Sequence, residues 1–356
     1  AIQAGFMELH PDEAYYWIYS RFLDWGYFDH PPMVALFIRG GDLISHSTFG
    51  LRLFTVLSST TSVYVLWLIV KRYQENLRLF ILLVCSILLF HVYGFITTPD
   101  SPLLLFGVLF LYVYQRYIIE DKLKWAILLS LVIAGLLYSK YHGVLILLFT
   151  IISNYNVLKR PSFWMIVGLS ALLFAPHIYW QYVHGFPSVY YHLFDRSAKP
   201  YRSEYTSDYL ISQIFVAGPL IGWFLYMSAT KLRGTDLFIR AVKFNFYGIL
   251  IFFFLSTFKG RVEPHWTLLA FPCLLILSYL YLVNLKALPG WVEKLAIANV
   301  ALILLVRFLF IMPVPGINKI RLIADYQNSK AWAKQIKEKA GDGYVILQGG
   351  FQEASL

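Results

Sequence analysis

The chain is short of charge. Asp, Glu, Lys and Arg together make up 14% of its 356 residues, where a soluble domain carries about a quarter. Cysteine is nearly absent: Cys85 and Cys273 both lie inside apolar runs, which argues against a disulfide framework and disfavours a thiolate metal site. No Gly-rich phosphate loop is present, which weighs against a soluble nucleotide-sugar donor. Nor is there an internal repeat of the kind that marks many transporters. Polar helix faces are missing as well: residues 101–114, 126–137 and 247–255 are apolar on nearly every side. A water-soluble helix needs a polar face, so such segments are membrane spans or buried cores. There are too many of them for a soluble core.

What is present is apolar residues, 58% of the chain, and a net charge of +10. The Lys and Arg residues stand mostly in short clusters between apolar runs, as membrane topology requires, so the partner they imply is a bilayer and not nucleic acid. Ten spans are expected, at about 49–70, 79–97, 101–118, 123–139, 143–157, 163–181, 209–229, 237–257, 266–284 and 292–312. One set of links is short and basic: Lys71-Arg72 with Arg78, Arg116 with Lys122 and Lys124, Lys159-Arg160, Lys231 with Arg233, and Lys286 with Lys294. By the positive-inside rule these face the cytoplasm. The other links hold most of the acids, and all nine histidines map to them or to the outer halves of helices. They face the periplasm or a lumen.

Three parts follow: a first outer loop over 1–48, the bundle over 49–312, and an outer domain from 313 to 356. Residues 12–27 and 33–44 have helical spacing and interfacial aromatics (Trp17, Tyr19, Trp25, Tyr27, Phe28), so we expect two amphipathic helices on the outer surface, joined at Asp29-His30-Pro31-Pro32. The chain starts without an initiator Met and stops just after a strand-like run at 344–347. A preceding span and the remainder of a C-terminal α/β domain are expected beyond it.

The chemistry gathers in the outer links. In His10-Pro11-Asp12-Glu13 the two carboxylates sit in a first helical turn, where they either complement the helix dipole or supply a general base with an orienting neighbour. Asp29 and His30 are held on a rigid diproline turn. Asp100, in Thr98-Pro99-Asp100-Ser101, is a helix cap or an acid at a cavity mouth. Cations face them: Lys140 in Ser139-Lys140-Tyr141-His142, then Lys259 and Arg261 in the run that continues through Glu263 and His265. The long loop adds His184, His192, Asp195, Arg196, Lys199, Arg202 and Glu204. Snorkelling accounts for single Lys and Arg residues, but not for the bias of the histidines. A carboxylate facing fixed cations at a membrane surface suits deprotonation of a hydroxyl that attacks a sugar carbon, with the cations holding the phosphate that leaves.

These residues, His10 to Trp17 and then Tyr27-Phe28-Asp29-His30-Pro31-Pro32, resemble the first outer loop of the GT-C glycosyltransferases. The bacterial family 39 protein mannosyltransferase-like enzymes and the aminoarabinose transferases of lipid A are the groups meant. The resemblance implies an all-α polytopic GT-C bundle with amphipathic outer helices, in the bacterial inner membrane with its active site toward the periplasm. It implies inverting transfer from a polyprenyl-phosphate sugar to a lipid or protein acceptor. Asp12 takes the role of base beside Glu13. Lys140, Lys259 and Arg261 fall in donor-phosphate regions, and Asp100, His30, His142, Glu263 and His265 in the donor or acceptor site. Asp29 resembles the turn acid that helps bind a divalent metal cation in the aminoarabinose transferases. In that group a Lys follows the turn acid. Here it is His30, a departure that leaves acceptor and metal open. The other class to weigh is a transporter or flippase of lipid-linked sugars, which needs charge near mid-membrane and paired broken helices.

Overall fold

The computed structural model describes residues 2–195, 200–234, 236–286, 288–312 and 329–340. Its elements are helical throughout, with no strand among the described residues. A short α1 (Ile2–Phe6) precedes the two outer helices, α2 (Pro11–Arg21) and α3 (Met33–Ile44). Then come α4 (Thr48–Val70), the broken pair α5 (Leu77–Ser86) and α6 (Leu88–Tyr93), α7 (Asp100–Glu120), α8 (Leu123–Ser139) and α9 (Gly143–Ser153). They are followed by α10 (Pro161–Val183), α11 (Pro187–Tyr190), α12 (Ser203–Ala217), α13 (Gly222–Lys231), α14 (Leu237–Ser256), α15 (Ala270–Val283), α16 (Gly290–Ile311) and α17 (Ser329–Ala340).

Helices stand at all ten predicted segments, but they are not ten equal spans. Five (α4, α7, α10, α14 and α16) are long and apolar enough to cross a membrane, or six if the pair α12 and α13, bent by 89°, is one span. That bend follows Gly218, whose φ of +150° suits glycine, before Pro219. Helix α9 has 11 residues and α15 has 14, about 17 and 21 Å at 1.5 Å per residue. The expected span at 79–97 is broken at Ile87. The reason is burial: α15 is enclosed by its neighbours along almost its whole length, so its apolar character reflects a protein core as much as lipid.

Each predicted set of links meets within itself. The acid- and histidine-rich links join through Lys140 to Asp100, His177 to the Trp25 carbonyl, and Thr206 to Thr257. The basic links join through Arg78 to Glu293 and Arg160 to Asp121, and Tyr279 of α15 donates to the Gln74 carbonyl at the same end. The outer helices are also present, but α2 stops at Arg21. The Tyr27 hydroxyl lies 2.9 and 3.0 Å from the Tyr19 and Phe22 carbonyls, satisfying helix-end acceptors and turning the chain back. Helix α3 packs closely on α4 where Gly41 meets Gly50; a Cβ on Gly41 would fall 2.0 Å from the Gly50 carbonyl oxygen. Of the expected outer domain, only α17 is described. Residues 313–328 and 341–356, with the strand-like run, lie outside the described residues, as do Arg196 and Lys199.

Candidate functional site

The two carboxylates that open α2 meet opposite fates. Glu13 is fully buried and holds Arg52, which is equally buried, in a two-pronged pair: Nε to Oε1 at 2.8 Å and Nη2 to Oε2 at 2.5 Å. The same carboxylate accepts the Thr97 and His10 amides at 2.8 and 2.9 Å. Arg52 spends its other donors on the carbonyls of Ala4, Met7 and Glu8. With both oxygens committed to a guanidinium and two amides, Glu13 is not placed to take a proton. It ties α1, α2, α4 and the link before α7 together, a correction to its sequence-based reading as a catalytic partner.

Asp12, one residue away, keeps a third of its side chain exposed (32%). Its backbone amide donates to His10 Nδ1 at 3.1 Å, so that nitrogen carries no proton and the cap is made by the amide and not by the carboxylate. Asp29 is buried, accepts the Tyr19 hydroxyl at 2.8 Å, and lies within 3.8 Å of His30 Nε2. Its backbone carbonyl meets His192 Nε2 at 2.8 Å. Burial raises the Asp29 carboxyl above its usual range, against the opposing pull of the Tyr19 hydrogen bond. The phenols of Tyr15 and Tyr19 are pushed up in turn by burial and by Asp29.

Asp100 is buried at the start of α7, with both oxygens on Lys140 Nζ at 2.9 and 2.8 Å and His265 Nε2 at 3.9 Å. Beside them His142 packs edge-on against Phe253 and at a tilt against Trp266. Burial first, then Lys140, His192, His30 and His265, hold His142 well below the usual histidine value, so it is neutral at pH 7. Tyr16 joins the two halves. Burial and then the carboxylates of Asp29, Asp12 and Asp100 keep its phenol well above its ordinary value. Three acids from two separate links therefore act on one side chain.

Of the predicted residues, the structure draws together Asp12, Asp29, His30, Asp100, Lys140, His142 and His265. Lys259 and Arg261 remain exposed; Arg261 pairs with Glu263 at 3.4 Å, and the Lys259 side chain makes no hydrogen bond or ion pair among the described residues. These three form a rim and not part of the buried cluster. Arg52, Tyr15, Tyr16 and His177 escaped sequence reasoning. Arg52 carried a faint signal, a lone charge four residues into an apolar run. His177 gave less: it donates from Nδ1 to the Trp25 carbonyl at 2.7 Å and accepts the Tyr141 hydroxyl at 3.1 Å, which holds the loop bearing Asp29 against α10. The next residue, Gly26, leaves no room for a side chain, since a Cβ would lie 2.4 Å from the Trp180 ring. Gly26→Ala is expected to cost about 1–3 kcal/mol through that overlap, read as a lowered melting temperature in detergent.

The divalent metal implied at Asp29 does not find a ligand set. Among the described residues no three His, Cys, Asp or Glu side chains are grouped to hold an ion, and one Asp29 oxygen is occupied by Tyr19.

Residues 29–180 match the sequence model of the dolichyl-phosphate-mannose-protein mannosyltransferase family. That stretch contains Asp29, His30, Asp100, Lys140 and His142. No curated protein sequence matches the chain. Two solved structures of ArnT from Cupriavidus metallidurans share its fold. The apo form aligns over 80% of this chain and 57% of its own, at 17% identity and a TM-score of 0.64. The form bound to undecaprenyl phosphate aligns over 99% and 71%, at 14% identity and a TM-score of 0.65. The chain thus spans a little over half to about two-thirds of the ArnT chains. Residues 29–180 thus resemble the dolichyl-phosphate-mannose-protein mannosyltransferase family in sequence, and most of the chain shares the GT-C fold seen in ArnT.

Proposed function

We propose that this chain transfers a sugar from a polyprenyl-phosphate donor to a hydroxyl acceptor at the outer face of a bacterial inner membrane, with inversion at the sugar carbon. The observation that carries the reading is the convergence of Asp12, Asp29 and Asp100 around Tyr16, with Lys140 and three histidines beside them, at one end of the bundle. Asp12 is the one of the three acids with a substantially exposed carboxylate, and it acts as the general base. It takes the acceptor hydroxyl proton as the acceptor oxygen forms a bond to the anomeric carbon. The bond from that carbon to the phosphate oxygen breaks in the same in-line step, and its electron pair leaves with the polyprenyl phosphate. Lys140 spends two of its three donors on Asp100 and directs the third, with Lys259 and Arg261 at the rim, toward the leaving phosphate. The form of ArnT bound to undecaprenyl phosphate supports a lipid-linked donor. The acceptor is a lipid or a protein.

A transporter is disfavoured. Charged side chains in the five long helices lie toward their ends and not at mid-membrane, where a transporter would need them. The test is turnover in detergent on a panel of polyprenyl-phosphate-linked sugars against the matching nucleotide sugars, with product mass as the readout. Transfer is expected from a lipid-linked sugar alone. Turnover on a nucleotide sugar without the lipid donor would overturn the donor assignment.

A further inference from the structure

Helices α7, α8, α9 and α10 enclose an apolar cleft of about 420 Å³. It runs along α10 from Phe163 to Ile178, about 22 Å at 1.5 Å per residue. Half the hydrocarbon thickness of a bilayer is about 15 Å, so the cleft is long enough for one leaflet's acyl chain.

The two ends of the cleft differ in charge. Toward the candidate site it runs up to Phe174 and Ile178, with the Tyr138 ring 5.1 Å from Phe174 and His177 4.9 Å from it. No Lys or Arg is a wall residue at either end. The far end lies among the basic links. There the Arg160 guanidinium sits 5.4 Å over the ring of Tyr117, a wall residue. A second wall residue, Tyr114, has Arg160 and Arg240 within electrostatic reach. Arg240 Nε is buried with no partner in hydrogen-bond geometry, and the buried Tyr114 hydroxyl lies beside Asn154 and Ser153. The acids nearby satisfy little of this. Asp121 pairs with Arg160 at 3.3 Å but is itself half exposed, and Asp236 caps α14 through the Ile239 amide at 2.7 Å.

We propose that this cleft binds an acidic glycerophospholipid of the leaflet on the basic side, with one acyl chain in the groove and the phosphate held by Arg160, Arg240 and the Tyr114 hydroxyl. A tail groove leading to two cations, one of which has an unpartnered donor, is complementary to an anionic head on a hydrocarbon chain. The site is at the opposite end of the bundle from Asp12 and Asp100, so the inference does not rest on the transfer reaction.

The experiment is native mass spectrometry and thermal unfolding of the purified chain in detergent with phosphatidylglycerol, phosphatidylcholine or undecaprenyl phosphate added. Phosphatidylglycerol is expected to be retained and to raise the melting temperature, and phosphatidylcholine to do neither. The double variant Arg160→Gln/Arg240→Gln is expected to weaken retention by about tenfold or more, since both charge-assisted contacts to the phosphate are lost. Ala171→Trp, which fills the cleft wall and leaves the cations in place, serves if the double variant fails to fold; it too should lose the lipid. Asp12→Asn should retain it, which separates this site from the catalytic one. Equal retention of phosphatidylcholine, unchanged binding by either cleft variant, or displacement of phosphatidylglycerol by an equal concentration of undecaprenyl phosphate would each overturn the proposal.

Discussion

Replacing Arg52 by Met is expected to destabilise the chain by about 3–5 kcal/mol, the range seen when one partner of a buried ion pair is removed. The size follows from what is left behind. Glu13 would stay fully buried with no countercharge, and the carbonyls of Ala4, Met7 and Glu8 would lose the donor that now serves all three. Adding Glu13→Gln to Arg52→Met should recover part of the loss by removing the stranded charge. It cannot recover all of it, because the three carbonyls remain unsatisfied and each costs about 1–3 kcal/mol when buried. The check is a melting curve of the purified protein in detergent for wild type, both single variants and the double. A melting temperature unchanged in Arg52→Met would mean that the pair does not hold α1, α2 and α4 together.

For Asp12→Asn the expected result is the reverse: normal folding and a collapse in turnover. A positioned general base contributes about 10²–10⁴-fold, and an amide cannot accept the acceptor's proton. Folding should be spared because the α2 cap is made by the Asp12 backbone amide on His10 and by Glu13 on the His10 amide, neither of which the substitution removes. The loss should fall on kcat, since the carboxylate works in the transition state, with KM for the lipid-linked donor little changed. Full turnover in a well-folded Asp12→Asn protein would remove the base from the mechanism. The contrast with Arg52→Met is itself informative, because the acids concerned are neighbours in sequence: one substitution should abolish activity at constant stability, and the other should lower stability first.

That contrast marks how far sequence could be read. Asp12 and Glu13 present the same residue class, in the same helical turn, one position apart. Helical geometry turns consecutive side chains about 100° apart, so one faces Arg52 and the link before α7 while the other faces the opening. Arg52 was overlooked because a single Arg one turn inside an apolar run looks like a snorkelling side chain. Its real partner lies 39 residues earlier. Among the tyrosines of α2, Tyr19 reads in sequence as an interfacial anchor, and nothing singles out Tyr15 or Tyr16. Tyr15 and Tyr19 instead reach toward Asp29, and Tyr16 stands among three acids. An aromatic beside lipid and an aromatic beside a polar pocket are identical in a sequence pattern. The break at Ile87 and the short α9 and α15 escaped for a related reason: where every residue is apolar, no periodicity marks where a helix ends.

Composition and the alternation of basic with acid- and histidine-rich links were enough to set the helical membrane class and to gather the ionisable chemistry at one end of the bundle. They could do so because the cost of placing a charge in hydrocarbon is paid locally, residue by residue, and leaves its mark along the chain. Which acid is exposed, which is sealed, and which cation each one meets were decided by tertiary structure alone. Those outcomes depend on distances between residues such as Asp100 and Lys140, 40 positions apart and joined by both carboxylate oxygens, and packing of helices, not order along the chain, sets those distances.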